Sequence, residues 1–197
     1  YDLWEEHRDH VHTYTLASIH GGLTAAATLG AAASESTMGS IRAFVDDHLT
    51  YAGRLRKSTG HTGVDASLVG VVVPYGLVTP DAPVMRTTIE SIERDLVTAN
   101  GTHRYLADTY YGGGSWILLS AWLGWYYTLL GDERSKRRAL DLLQWVASHA
   151  DTGGHLPEQV TETLLAPKSL NPWEERWGPS ANPLLWSHAM YLILWNQ

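Results

Sequence analysis

Helical segments of two kinds alternate along this 197-residue chain, and that alternation restricts the possible folds more than any other feature. Leu16–Ala33, Ala66–Val73, Trp116–Leu130 and Pro183–Trp195 are apolar nearly all round, as suits a helix enclosed on every side. Between them, Ser36–Lys57, Val84–Val97 and Arg134–His149 are amphipathic, with Arg42, Asp46, Arg86, Glu90, Glu93, Arg137, Arg138 and Asp141 available for a wet face. Periodicity and start signals predict helices over Thr15–Ala33, Ser36–Lys57, Asp65–Val73, Pro83–Val97, Ser115–Leu130, Glu133–His149 and Ala181–Trp195, and no set of alternating strands. Pro83 behind Asp81, Ser115 after the glycine run and Asp132 before Glu133 mark helix starts. An inner and outer order of this kind is what a toroid of helical hairpins produces, so the expected class is all-α, and without a linker-like stretch residues 1–197 read as part of one domain.

Composition removes several classes of function. A formal charge of −7 with 14 Lys and Arg is a poor match to a nucleic-acid backbone, and there is no apolar stretch of membrane-spanning length. With no cysteine there is neither a disulfide framework nor a thiolate site. His7, His10 and His12 are close in sequence but offer no tetrahedral ligand set, so no metal and no cofactor is expected. Nine Trp and ten Tyr against one Phe is an unusual balance, favouring flat apolar faces with polar edges on a wet concave surface.

The acidic and aromatic clusters lie on loops leading into the apolar helices: Tyr1–Glu6, Arg104–Trp116 and His155–Trp186. Loops of the opposite sense, Ser34-Glu35 and Gly131-Asp132, are short and plain. One rim of the ring is therefore expected to be functional and the other merely to turn the chain.

Four motifs in order, Tyr1-Asp2-Leu3-Trp4-Glu5-Glu6, Arg104-Tyr105 with Asp108-Thr109-Tyr110-Tyr111 and Ser115-Trp116, Leu156-Pro157-Glu158-Gln159-Val160, and Asn182-Pro183-Leu184-Leu185-Trp186-Ser187-His188-Ala189, closely resemble glycoside hydrolase family 15, the glucoamylase-like enzymes, over essentially the whole chain. The resemblance implies an (α/α)6 barrel of twelve helices of which this chain supplies about the last seven. The first residue then reads as an interior position, and the N-terminal half of the barrel is expected from a second chain, a cleaved fragment or a segment outside this chain, unless copies of this one pair.

Inverting hydrolysis of a glycosidic bond requires one carboxylic acid to protonate the leaving oxygen and one carboxylate to activate water, roughly 6.5–9.5 Å apart. Carboxylates from distant loops serve that geometry better than neighbours do, which pairs Glu5 with Glu158 rather than with Glu6. By similarity to the family, Glu5 is the general acid and Glu158 the general base, while Asp2 and Glu6 hold sugar hydroxyls or tune the site. Arg104 resembles the family's substrate-binding arginine, although it is also placed to pair with Asp108. Trp4, Trp116 and Trp186 resemble the ring faces of the sugar subsite, with Tyr110 and Tyr111 nearby. Trp122, Trp125 and Trp145 fall at packing positions, and Glu174-Glu175-Arg176-Trp177 reads as a solvated loop. The implied activity is exo-acting release of β-glucose from isomaltose or short α-glucans. A trehalase or α-1,4 glucoamylase is the alternative within the family, and a non-catalytic sugar-sensing or scaffold domain the alternative of another class.

Overall fold

A computed structural model describes residues 1–32 and 35–197, so the expected helix end at Ala33 and the loop residue Ser34 lie outside the described residues. Seven α-helices are present among them: α1 Thr13–Thr28, α2 Glu35–His48, α3 Pro83–Leu96, α4 Ile117–Thr128, α5 Glu133–Ser148, α6 Leu170–Trp177 and α7 Leu185–Trp195. The chain divides into two compact units, Tyr1–Ile92 and Glu93–Gln197.

In the first unit α1 packs on α2 and on a 3-10 turn at Ala66–Val71. The expected Asp65–Val73 α-helix is thus replaced by a tighter turn. Its sequence explains the change: Val69, Val71, Val72 and Val73 are β-branched, Gly70 interrupts them, and Pro74 disfavours the α region for Val73. The expected helix to Lys57 also stops early, at His48, because Ala52 and Gly53 adopt positive φ (51° and 77°) and fold β1 (Thr50–Tyr51) onto β2 (Arg54–Leu55). Leu55 donates its amide to Thr88 Oγ1 of α3 at 2.9 Å, and Val45, Leu49, Leu55, Leu68 and Met85 are buried.

The second unit is built around α4. Ile117–Gly124 are buried without interruption, as an all-apolar helix requires, and α5 and α7 pack against it. Gly124 lets α7 approach, since a Cβ there would stand 2.6 Å from Leu194 Cδ2. Asp132 caps α5 as expected, accepting the amides of Arg134 and Ser135 at 3.0 Å each. A small antiparallel sheet was not foreseen in the sequence. It runs in the order β3 (Val97–Thr98), β4 (Gly101–Thr102), β5 (Ser115–Trp116), β6 (Gln159–Val160), so Ser115 begins a strand and not a helix. Helix α6 covers the segment expected to be a solvated loop, with Gly178 at positive φ ending it, yet Glu174–Trp177 are exposed as anticipated.

The outermost residues of two apolar helices depart from expectation. On α1 Ile19 is 47% exposed, and on α7 Leu185 and Trp195 are 83% and 63% exposed, so enclosure on every side holds for α4 but not for these two. Leu142, fully buried on α5, tests the packing of the second unit. Leu142→Ala is expected to lower stability by about 2–5 kcal/mol, measured by urea denaturation of the full-length protein.

Candidate active site

Each unit carries one of the carboxylates singled out by sequence, and each holds it by different means. In the first unit, residues 2–6 form a tight turn. Asp2 Oδ1 accepts the amides of Trp4 (3.0 Å) and Glu6 (2.8 Å), and the Glu5 amide reaches the Asp2 carbonyl at 3.3 Å. Within this turn Glu5 has a φ of 61°, a left-handed conformation rare for a residue with a side chain, and its side chain is exposed. Trp4 Nε1 donates to both oxygens of Asp65, at 3.0 and 3.2 Å. Asp65 also caps the 3-10 turn through the Ser67 amide at 2.9 Å.

Lys57 lies beneath this turn. Its Nζ stands 3.1 Å from Asp2, 3.1 Å from Asp65 and 3.4 Å from Glu6, and its side chain is 6% exposed. Burial works against the charge on both Asp2 and Lys57. For Asp2 the Glu6 amide and Lys57 outweigh it and hold the carboxyl below its usual range. For Lys57 the fields of Asp65 and Asp2 outweigh it and raise the ammonium. Next to the turn, the rings of His7, His10 and His61 stand 4.4 to 6.3 Å apart, centre to centre. Among the described residues no group of three or more His, Asp or Glu could hold a metal ion.

In the second unit, pairing of β5 with β6 positions Glu158. The Ile117 amide donates to the Glu158 carbonyl at 3.2 Å and the Glu158 amide to the Ala181 carbonyl at 2.8 Å. Gly114 permits the approach, because a Cβ there would stand 2.5 Å from the Val160 carbonyl oxygen. The Glu158 carboxylate accepts the Ser180 hydroxyl at 3.0 Å and the Tyr110 hydroxyl. Burial raises its proton affinity above that of an ordinary carboxyl, only partly offset by Ser180, Tyr110 and the field of Arg104. Burial, and then Glu158, push the Tyr110 hydroxyl up to about 12.

Arg104 is buried and forms a two-pronged pair with Asp108, Nε to Oδ2 at 2.7 Å and Nη2 to Oδ1 at 2.5 Å. Its guanidinium lies 5.0 to 5.4 Å from the ring centres of Tyr105, Tyr110 and Trp116. Asp108 also accepts the Tyr110 amide at 2.9 Å. The internal pairing foreseen for Arg104 is therefore present. Tyr110 stacks on Trp116, while Trp116 and Tyr111 are each only 5% exposed. Trp186 is half-buried, 6.4 Å from the Trp122 ring.

Three residues of these arrangements escaped sequence reasoning. Lys57 reads as the wet end of an amphipathic helix, Ser180 as an unremarkable residue before the last helix, and Trp173 as part of a loop. Trp173 in fact lies on α6, with its ring 4.9 Å from Tyr110 and 5.6 Å from Tyr111. Asp65, expected as the first residue of a helix, is instead the cap of the 3-10 turn.

No family model matches the chain. It is 48% identical over 201 residues to an isomaltose glucohydrolase from Kribbella flavida, covering 98% of this chain and 51% of that protein. It is 30% identical over 216 residues to an uncharacterised glycosyl hydrolase from Methanocaldococcus jannaschii, covering 98% of this chain and 33% of that one. The chain thus spans about half the length, or less, of these curated relatives. Among solved structures, a glycosidase with one glutamate replaced by alanine, in complex with glucose, superposes over 100% of this chain and 54% of its own with a TM-score of 0.93 and 47% identity. Hormoconis resinae glucoamylase, at 16% identity, shares the fold with a TM-score of 0.69 over 98% of this chain and 43% of its own. These likenesses bear out the resemblance to the glucoamylase-like glycoside hydrolases over essentially the whole chain, which has the fold of part of an (α/α)6 barrel.

Proposed function

We propose that this protein is an inverting, exo-acting α-glucoside hydrolase that releases β-glucose from the non-reducing ends of isomaltose or short α-glucans. The observation that carries this reading is 48% identity across 98% of the chain to an isomaltose glucohydrolase, in a sequence with a carboxylate in each of two unlike settings. Further support comes from two solved glycosidases similar to this chain, each with a glutamate replaced by alanine; the two replaced positions are separated by about as many residues as Glu5 and Glu158.

In this reading Glu158 is the general base and Glu5 the general acid. Glu158 takes a proton from water as the water oxygen bonds to C1 of the glucose unit; the bond from C1 to the leaving oxygen breaks and Glu5 supplies that oxygen with its proton. The hydroxyls of Ser180 and Tyr110 aim the base and stabilise its ionised form. Arg104, Asp2, Glu6 and the rings of Trp4, Tyr110, Tyr111, Trp116 and Trp186 are assigned to sugar contact or to support of the groups that make it. The wet apolar residues of α1 and α7, with relatives about twice as long, further suggest that the remaining helices of the barrel cover those faces, supplied by this polypeptide or by another.

Glucose release from isomaltose, maltose and trehalose by the full-length protein tests the assignment and its linkage. Glu5→Gln and Glu158→Gln should each lower kcat by at least about 100-fold. Activity surviving either substitution removes that residue from its role, and no activity on any glucoside leaves the sensing or scaffold alternative. Ser180→Ala gives a second expectation. Loss of the hydroxyl that favours the ionised carboxylate raises the proton affinity of Glu158 further. Because the base works ionised, the acidic limb of the kcat profile should move to higher pH, measured on isomaltose.

A further inference from the structure

We propose that Lys57 is a positioning residue for Glu5: its ammonium fixes the turn that presents the acid, and without it the proton is delivered off line. The inference rests on the reading of Glu5 as general acid.

Three observations carry it. First, Glu5 sits at a φ of 61°, a conformation that a residue with a Cβ keeps only when its surroundings impose it. Secondly, the side-chain bonds that hold the turn lead to one atom, beside the backbone bonds from the Glu5 amide to the Asp2 carbonyl and from the Asp2 amide to the Glu6 carbonyl. Asp2 fastens the amides on both sides of Glu5, and Asp2 is in turn held 3.1 Å from Lys57 Nζ. Trp4 is fastened to Asp65, which is also 3.1 Å from that Nζ, and Glu6 lies 3.4 Å from it. The residue before Glu5, the residue after it and the residue that closes the turn are therefore each tied to Lys57 directly or through one carboxylate. Thirdly, Lys57 is itself fixed. Its carbonyl accepts the Thr13 amide and its amide donates to the Gly63 carbonyl, both at 3.1 Å, and its side chain is 6% exposed.

The electrostatics follow from the count. Asp2, Glu6 and Asp65 converge from two separate segments and repel one another unless a cation stands between them. A neutral side chain at residue 57 leaves two of those carboxylates buried without a counter-charge, and the short residue 2–6 turn gives way more readily than the capped 3-10 turn that holds Asp65. Lys57 acts on Asp2, Glu6 and Asp65, so its effect on Glu5 passes through the backbone of the turn.

The test separates protonation of the leaving group from everything else the turn does. The leaving group of isomaltose is the O6 alkoxide of its second glucose and needs the acid; that of α-glucosyl fluoride is fluoride and needs it far less. In the full-length protein, Lys57→Met should lower kcat on isomaltose by about 10- to 100-fold, a part of what general acid catalysis supplies, with the loss on α-glucosyl fluoride at least about ten times smaller; a rise in KM from displaced sugar contacts at Asp2, Trp4 or Glu6 is shared by both substrates. Lys57→Arg should recover part of the loss on isomaltose. Equal losses on both substrates, or no loss on either, overturn the proposal, because a turn that merely stabilises the fold does not discriminate between leaving groups. Asp65→Asn keeps an acceptor for Trp4 and removes one charge partner of Lys57; it should show the same discrimination at smaller size, and it decides the question if Lys57→Met does not fold. Glu5→Gln is the reference. If it leaves isomaltose hydrolysis intact, the assignment of Glu5 fails; if it discriminates between the substrates and the Lys57 variants do not, only the role of Lys57 fails.

Discussion

Enclosure of α4 is the constraint on which the second unit depends. A helix with no polar face has to be covered on every side, and the covering elements then have little freedom. Helix α5 supplies a buried stripe of Ala139, Leu142 and Val146, α7 approaches at Gly124, and the short sheet covers the entry to the helix. The last of these matters for chemistry. The first helical amides have no partner within the helix, and the Ile117 amide takes the carbonyl of Glu158. The same bond that satisfies the helix start fixes the backbone from which Glu158 projects. Packing and the proposed base are therefore coupled through one residue.

The two carboxylates are held on opposite principles. Glu158 is half-buried, hydrogen-bonded through its side chain, and pushed by its surroundings toward the protonated state. Glu5 is exposed, and it is the backbone beneath it that is constrained, by an Asp2 turn over a buried ammonium. Such an arrangement suits a division of labour in which one group is tuned by what touches it and the other by where the chain presents it. Left-handed residues recur at the other loop as well, where Tyr111, Gly112 and Gly113 follow one another at positive φ. Gly113 has no alternative there, since a Cβ would stand 2.5 Å from the Asp108 carbonyl oxygen.

Much of this architecture was legible in the sequence, for identifiable reasons. Helices α3 and α5 announce themselves because periodic segments with start signals leave few alternatives, as Asp132 before α5 illustrates, while α4 and α7 show as long apolar runs without a capping side chain. The motifs around Glu5 and Glu158 stand out because, with the two other motifs, they follow one another in the order of a known family, whereas the similar run Pro172-Trp173-Glu174-Glu175 does not belong to that set. What escaped was set by distant contacts. Hairpins at Ala52-Gly53 and Ala99-Asn100 interrupt or follow helical patterns, and their strands are only two residues long, too short for alternation to register. Helix α6 was hidden by Pro172, which is tolerated because it falls within the first turn. Lys57 cannot be recognised from its neighbours at all, because its three partners lie 51 and more residues upstream or eight downstream and nothing local encodes their convergence.

The stack around Arg104 has a consequence for the ionic environment the protein can work in. A guanidinium 4% exposed, doubly bonded to a carboxylate 1% exposed and covered by rings, has lost its hydration shell during folding. Mobile ions in solution reach such a pair only weakly, whereas the exposed Lys136 and Glu133 pair on α5 is open to them. Moderate salt therefore screens the exposed pair on α5 while the loop that carries Tyr110 to Glu158 keeps its order, so that the surroundings of Glu158 are insulated from changes in ionic strength that the surface must absorb.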